Sequence, residues 1–130
     1  MDKISEMLTQ IRNAQMAGHK EVDIKKSKIR FALAKILEKE GFIEKVSEEK
    51  EGVIKITLKY YSASLTEKTP AIKGIKKISK SGQRIYVKNK DIKNIKNKYG
   101  LAIVSTSKGL MTGEESKKIG LGGEYICEVW

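Results

Sequence analysis

The 130-residue sequence has one cysteine, one histidine and one proline. A single cysteine excludes an internal disulfide framework and a cysteine-based zinc site. Cys127 stands among Tyr125, Ile126 and Val129, which favours a small, buried apolar side chain. A nucleophilic cysteine needs a base, and the one histidine, His19, follows a glycine in a polar loop, so catalysis by this pair is disfavoured. The sequence also has no secretory signal and no apolar run of membrane length, which predicts a cytosolic protein.

Arginine is scarce, since only Arg12, Arg30 and Arg84 stand among the 27 basic residues. Lysine acts as a point charge, whereas arginine offers a planar fork that can make two parallel hydrogen bonds. A lysine-rich surface therefore suits phosphate contacts better than extensive reading of base edges. Genome base composition would produce the same excess of lysine.

Positive charge is abundant: 27 basic residues against 16 acidic ones give a formal net charge of +11. Residues 66–130 carry 14 basic and 6 acidic side chains, and the stretch 68–98 has 11 basic residues and one acid. Such a surface suits a polyanion, because neutralising phosphates releases counterions. Tyr86 lies within this stretch and either stacks on an exposed base or packs between strands. A basic surface that is merely soluble, or that meets acidic proteins, is the alternative.

The N-terminal part, residues 1–62, predicts an α-β-α-β-β lobe. The first helix has apolar residues at helical spacing, namely Ile4, Met7, Leu8, Ile11 and Ala14. A second helix follows the capping residue Ser27 and ends at Gly41, and its apolar stripe comprises Ile29, Ala32, Leu33, Ile36 and Leu37. Strands are predicted at 21–26, from Phe42 onward and at 53–58, with a turn at 48–52. Two helices would cover one face of this three-stranded sheet.

The remainder predicts a linker and a second lobe. Residues 63–71 are small and polar and include the single proline, Pro70, which is typical of a connection between domains. Residues 72–130 predict a β-rich lobe with short helices at 91–98 and after Thr112. Its strands are expected around 72–78, 84–87, 101–106 and 124–130, with a turn at 80–83. The predicted fold class is therefore α+β with two small lobes.

Two loops in the last quarter carry the candidate binding residues. Ser105, Thr106 and Ser107 end a strand, and their short hydroxyls can reach phosphate, ribose or base edges, with Lys108 adding a charge. An ordinary Ser/Thr-rich turn is the alternative for this loop. If strands 101–106 and 124–130 share a sheet, this loop meets the second one at the sheet edge.

The second loop contains Gly122, Gly123 and Glu124. Paired glycines allow backbone N–H groups to approach a ligand, but they precede a strand rather than a helix, so a nucleotide-phosphate loop is not indicated. A carboxylate beside RNA needs a physical explanation, because it repels phosphates. Glu124 either accepts a hydrogen bond from a base or ribose hydroxyl, or orients Lys108 or a serine of the adjacent loop.

Catalytic and metal-binding patterns are missing from the sequence. An RNA-modifying enzyme would need an activated nucleophile or a cofactor loop, and no histidine cluster supports hydrolysis or metal binding. We therefore expect no enzymatic activity, no cofactor and no bound metal.

Several segments resemble the bacterial ribosomal protein S8 family (uS8) from end to end. They are ISEMLTQIRNA at 4–14, IRFALAKILEKEGFI at 29–43, IKKISKSGQRIYV at 75–87, and the STSKG, GGE and VW motifs of the last quarter. The sequence departs from the family pattern at Ser81, where proline is frequent, and at Gly113, where an acid is common. Lysine also replaces many family arginines.

The resemblance implies a structural protein of the small ribosomal subunit, located in the cytoplasm within the ribosome. It implies binding to the central domain of 16S rRNA beside neighbouring small-subunit proteins, with a role in assembling the platform. Many family members also repress their own operon by binding its mRNA. The implied RNA-binding residues are Ser105, Thr106, Ser107, Lys108, Gly122, Gly123 and Glu124, with Tyr86 nearby and Arg12 and Lys28 in the N-terminal lobe.

Overall fold

The computed structural model describes residues 3–62, 64–94 and 100–130, which form two compact units, Lys3–Lys73 and Gly74–Trp130. The first unit contains α1 (Lys3–Met16), β1 (Glu21–Lys25), α2 (Lys28–Lys39), β2 (Ile43–Lys50), β3 (Val53–Leu58), β4 (Tyr60–Ser62) and β5 (Lys68–Pro70). The second contains β6 (Ile75–Lys77), β7 (Tyr86–Val87), a 3-10 helix (Asn89–Asn94), β8 (Leu101–Thr106), β9 (Gly109–Thr112), α3 (Gly113–Lys118) and β10 (Gly123–Val129). Helices and antiparallel strands in this order confirm the α+β prediction.

Helix α1 buries the face that its apolar spacing predicts. The five buried side chains are those named from the sequence: Ile4, Met7, Leu8, Ile11 and Ala14. Each returns to the same side of the helix after three or four residues, so all five leave water together.

Helix α2 begins at the predicted cap, because the Ser27 hydroxyl accepts a hydrogen bond from the N–H of Arg30 at 3.2 Å. Its buried face differs from the predicted stripe and comprises Arg30, Leu33, Ala34 and Leu37. The other predicted members, Ile29, Ala32 and Ile36, are half-buried. The buried face includes Arg30 because the guanidinium of this arginine has hydrogen-bond partners inside the fold. Residue type alone does not reveal these partners.

The N-terminal sheet has the strand order β1-β3-β2, with both pairs antiparallel. Ile54, Ile56 and Leu58 alternate with half-buried residues along β3, so one face of the sheet is apolar. Helix α1 packs against β1, and α2 packs against β2. The predicted three-strand arrangement is confirmed, but β2 extends to Lys50, and the turn is shorter than the expected 48–52.

Strands β4 and β5 form a two-stranded antiparallel ribbon, in which Tyr60 pairs with Pro70 and Ser62 with Lys68. The ribbon includes part of the segment 63–71 that the sequence predicts to be a linker. The lobe boundaries derived from the sequence stay a prediction.

The C-terminal sheet has the order β6-β10-β8-β9, and β7 also pairs with β10. Strand β6 pairs with residues 127–129 of β10 and β7 with residues 123–124, whereas β8 pairs along most of its other edge. Its fully buried side chains include Ile103, Val104, Cys127 and Val129. The buried position of Cys127 confirms the apolar interpretation.

Several C-terminal elements are shorter than predicted or were missed. The expected strands 72–78 and 84–87 contract to Ile75–Lys77 and Tyr86–Val87, and β9 was not expected. The helix predicted at 91–98 is replaced, as far as it is described, by the 3-10 helix Asn89–Asn94; residues 95–99 lie outside the described residues. Thr112 caps α3 as predicted, accepting a hydrogen bond from the N–H of Glu115 at 3.1 Å.

Candidate nucleic-acid interface

Three adjacent strands place Tyr86, Glu124 and Ser105 in one row. Glu124, near the start of β10, pairs with Tyr86 of β7 on one side and with Ser105 of β8 on the other. Residues directly opposite each other in an antiparallel sheet project to the same face, about 5 Å apart. The two predicted loops therefore meet at the edge of one sheet, as inferred from the sequence, and Tyr86 joins them.

The paired glycines of this surface serve close backbone packing. A Cβ atom at Gly123 would lie 2.1 Å from the carbonyl oxygen of Ser105, and one at Gly122 would lie 2.4 Å from that of Val87. Any side chain at either position would force the neighbouring strands apart. The structure thus gives these glycines a packing role, and the approach of their backbone N–H groups to a ligand stays a prediction.

The loop between β8 and β9 is a tight turn that Thr106 closes. Its hydroxyl donates to the carbonyl oxygen of Gly109 at 2.9 Å and accepts from the N–H of Lys108 at 3.1 Å. Gly109 adopts a φ of 108°, which L side chains rarely do. Thr106 therefore shapes the turn, and Ser107 and Lys108 are exposed at its tip.

Tyr86 is 69% exposed, which settles its two alternatives in favour of an accessible ring. An aromatic side chain on an open strand can stack on an unpaired base, and stacking is tolerant of base identity. Tyr125 behaves differently, since it is buried, and burial raises the pKa of its hydroxyl, which stays protonated at physiological pH.

Glu124 is held by two residues that the sequence analysis did not single out. The Ser79 hydroxyl donates to its Oε2, and Nη1 of Arg84 donates to the same oxygen at 3.0 Å. Both described contacts of Glu124 are with residues of the segment 79–84. The hypothesis that Glu124 orients Lys108 or a serine of the adjacent loop is therefore wrong for the contacts described. The predicted turn at 80–83 could have identified Ser79 and Arg84 as neighbours. It reverses the chain and places the residues on its two sides next to each other.

Exposed basic side chains lie on the same unit. Lys76, Lys80, Lys88 and Lys90 are all exposed, and the side chain of Arg84 is 47% exposed. These belong to the lysine-rich stretch identified from the sequence. They provide positive charge on the unit that contains the Tyr86–Glu124–Ser105 row.

Arg12 and Lys28 belong to the other unit and lie on different helices. Both are exposed, Arg12 on α1 and Lys28 at the first position of α2. The start of α2 contacts the start of α1, because Arg30 bonds to Lys3 and Glu6. Arg12 is six residues beyond Glu6, roughly 9 Å further along the helix axis.

The described residues contain no group of three or more histidine, cysteine, aspartate or glutamate side chains that could hold a metal ion. Within the same ranges, none of the helices combines the length and apolar character needed to span a membrane.

Comparison with known proteins gives one consistent result. The family model described as ribosomal protein S8 matches residues 2–130. The chain is 48% identical over 132 residues to the small ribosomal subunit protein uS8 of Caldanaerobacter subterraneus subsp. tengcongensis, covering 99% of this chain and 97% of the relative. It is 46% identical to the uS8 proteins of Citrifermentans bemidjiense, with the same coverage, and of Nitratidesulfovibrio vulgaris, over 99% of this chain and 98% of the relative.

Proposed function

The chain belongs to the ribosomal protein S8 family of the small ribosomal subunit, and from this premise we propose that it binds the central domain of 16S rRNA through its C-terminal unit. Family membership makes the protein a structural component of the ribosome in the cytoplasm and not an enzyme. The finer proposal concerns which RNA it contacts and with which residues.

The observation that carries the proposal is the row of Tyr86, Glu124 and Ser105, with the exposed tip Ser107–Lys108 at the end of β8. The row offers a ring for stacking, a carboxylate acceptor and a hydroxyl within about 10 Å. Unstacked bases and ribose hydroxyls of RNA loops and bulges are recognised by such groups.

Each predicted residue has a physical role in this proposal. Lys108 and the exposed lysines contact phosphates and set the salt dependence of binding. Ser105 and Ser107 hydrogen-bond to bases or riboses, and Tyr86 stacks. Thr106, Gly122 and Gly123 support these groups by fixing the backbone. Arg12 and Lys28 supply a second contact to the RNA from the N-terminal unit.

Binding at this site supports assembly of the platform of the small subunit, next to other small-subunit proteins. The same surface also binds an mRNA site of similar structure in the protein's own operon, which would repress translation when the protein exceeds rRNA. An unlabelled operon leader that competes for the protein with the rRNA fragment supports this role, and a leader that fails to compete contradicts it.

The test of the main proposal is chemical footprinting of the purified protein on 16S rRNA at physiological salt. We expect protection of helices in the central domain, with lower occupancy at equal protein concentration for Lys108→Ala. Lys39→Ala, which removes one charge from the exposed end of α2, serves as the matched control and should protect like the wild type. Protection confined to another domain, or none, would overturn the proposal.

A further inference from the structure

The contacts of Glu124 form a closed hydrogen-bonded group with the segment 79–85. Ser79 is fully buried, and its Oγ accepts a hydrogen bond from the N–H of Ile85 at 3.1 Å. A serine hydroxyl has one proton to donate, and with the backbone N–H at a lone pair this proton is directed at Glu124. Ser79 therefore has a single orientation in this arrangement.

The segment itself is fixed to β10 at both ends. The N–H of Ile78 donates to the carbonyl oxygen of Ile126 at 3.0 Å, and the N–H of Tyr125 donates to that of Ile85 at 2.9 Å. Between them, Lys80 and Gln83 close the turn through reciprocal backbone bonds of 3.0 and 2.9 Å. Ser79 and Arg84 thus contact Glu124 from a loop that backbone hydrogen bonds connect to β10.

Both described contacts of Glu124 use the same oxygen, Oε2. Glu124 itself stands between Tyr86 and Ser105 in the row, and its side chain remains 19% exposed. An ionised carboxylate only accepts hydrogen bonds, so it attracts a hydroxyl or amino group and repels phosphate. The guanidinium of Arg84 offsets part of its charge, which makes a carboxylate tolerable beside RNA.

From this geometry we infer that Ser79 and Arg84 are positioning residues that hold Glu124 as an acceptor for a hydroxyl or amino hydrogen of the RNA. Glu124 then determines specificity. It favours binding of an RNA that places such a donor beside Tyr86 and Ser105, and it repels a backbone phosphate at that point. The inference rests on the proposed RNA binding and deepens it.

The experiment measures a specificity ratio, namely the dissociation constant for a non-cognate RNA duplex of equal length divided by that for the protected 16S fragment. We expect Glu124→Gln to lower this specificity ratio roughly tenfold, since one good hydrogen-bonded contact discriminates on this scale. Ser79→Ala is expected to lower the ratio in the same direction. Because Ser79 acts through Glu124, the double variant should be no worse than Glu124→Gln alone.

Arg84→Ala keeps the inference testable if Ser79→Ala fails to fold, because the Arg84 side chain is at the surface. Its matched control is Lys80→Ala, which removes a charge from an exposed residue of the same loop. Lys80→Ala should weaken binding to both RNAs alike, whereas Arg84→Ala should also lower the specificity ratio. Arg84→Lys restores the charge without the fork and should recover part of that ratio.

The donor on the RNA is identified by substitution of the protected nucleotides. Loss of preference on 2′-deoxy substitution that Glu124→Gln does not share identifies a ribose hydroxyl as the donor. The same result on replacing guanine by inosine, adenine by purine or cytosine by 2-pyrimidinone, each of which lacks the exocyclic amino group, identifies a base. Either supports the inference, whereas losses that add fully to that of Glu124→Gln at every protected nucleotide contradict it.

Different outcomes contradict the proposed function and the positioning of Glu124. A wild-type protein that shows no preference for the 16S fragment contradicts the proposed function. A wild type with a clear preference, combined with an unchanged ratio in Glu124→Gln and Arg84→Ala or with additive losses in the double variant, overturns only the inference about positioning.

Discussion

A single missing Cβ atom at Gly123 lets strands β8 and β10 meet at the candidate surface. The backbone of Ser105 occupies the space that a methyl group would need, with only 2.1 Å available. Gly123→Ala should therefore destabilise the fold by roughly 1–3 kcal/mol, as overpacking does. Urea unfolding followed by circular dichroism measures this change.

Gly82→Ala is the matched control, because nothing lies within 4 Å of a Cβ at that position. Its stability should be unchanged or slightly higher, since alanine reduces the freedom of the unfolded chain. Equal unfolding midpoints for both variants would show that the close approach at Gly123 carries no cost.

The exposed ring of Tyr86 is predicted to contribute binding energy without contributing to folding. Tyr86→Ala should weaken RNA binding by roughly 1–3 kcal/mol, the range for one stacked base, while Tyr86→Phe should retain most of the affinity. Tyr61→Ala is a suitable control, since Tyr61 is also exposed on a strand but belongs to the other unit. Filter binding at fixed salt measures all three, and a Tyr86→Ala protein with wild-type affinity would show that Tyr86 does not stack on the RNA.

Within the N-terminal elements, Arg30 ties three segments together. Its guanidinium donates to the carbonyl oxygens of Lys3 and Lys25, both at 3.0 Å, and to Oε2 of Glu6 at 3.2 Å. It thus joins α2 to α1 and to the end of β1. Arg30→Met keeps the length of the side chain but removes the three donors, and it should cost roughly 2–4 kcal/mol of stability.

Lys35→Met tests whether the loss of stability expected for Arg30→Met arises because Arg30 is buried. Lys35 lies on the same helix in an ion pair with Glu38, but its side chain is 54% exposed, so its loss should cost about 1 kcal/mol or less. Thermal unfolding of both variants checks the difference. A similar loss for the two would show that Arg30 acts as an ordinary surface residue.

Element by element, periodicity predicted the N-terminal unit well and the C-terminal unit less well. Long amphipathic helices such as α1 repeat their signal over several turns, so their buried face could be read directly. Strand β9 has only four residues, too short for alternation to be distinguished from a loop, and β7 keeps only two residues of the strand predicted at 84–87. The buried face of α2 was misplaced because partners for a charged side chain depend on tertiary contacts.

The candidate site also has features that the sequence predicts and features that it does not. The two loops and their meeting at one sheet edge could be predicted, because hydroxyl, lysine and glycine motifs bordered recognisable strands. Ser79 and Arg84 could not be assigned from residue types, since their role depends on the turn that brings them to Glu124. Glycines at 122 and 123 were predicted for the approach of a ligand, which stays a prediction; their close packing against neighbouring backbone could not be predicted.

At the scale of the whole molecule, the excess of positive charge in residues 66–130 predicts two separable effects at the loop tip. Lys108→Ala should weaken binding to all RNAs and reduce the salt slope by about 0.7–0.9. Ser107→Ala should leave the slope unchanged and relax sequence preference by roughly 1–3 kcal/mol if its hydroxyl contacts a base. Affinities at several salt concentrations measure both, and equal, salt-independent losses would contradict this division.

Amide NMR spectra of the labelled protein, titrated with the protected 16S fragment, show whether one strand-end surface of the C-terminal unit contacts the RNA. We expect the largest changes at Tyr86, Ser105–Lys108 and Gly123–Glu124, with small changes on the ribbon formed by β4 and β5. Changes concentrated on that ribbon, with the Tyr86–Glu124–Ser105 row unaffected, would contradict it.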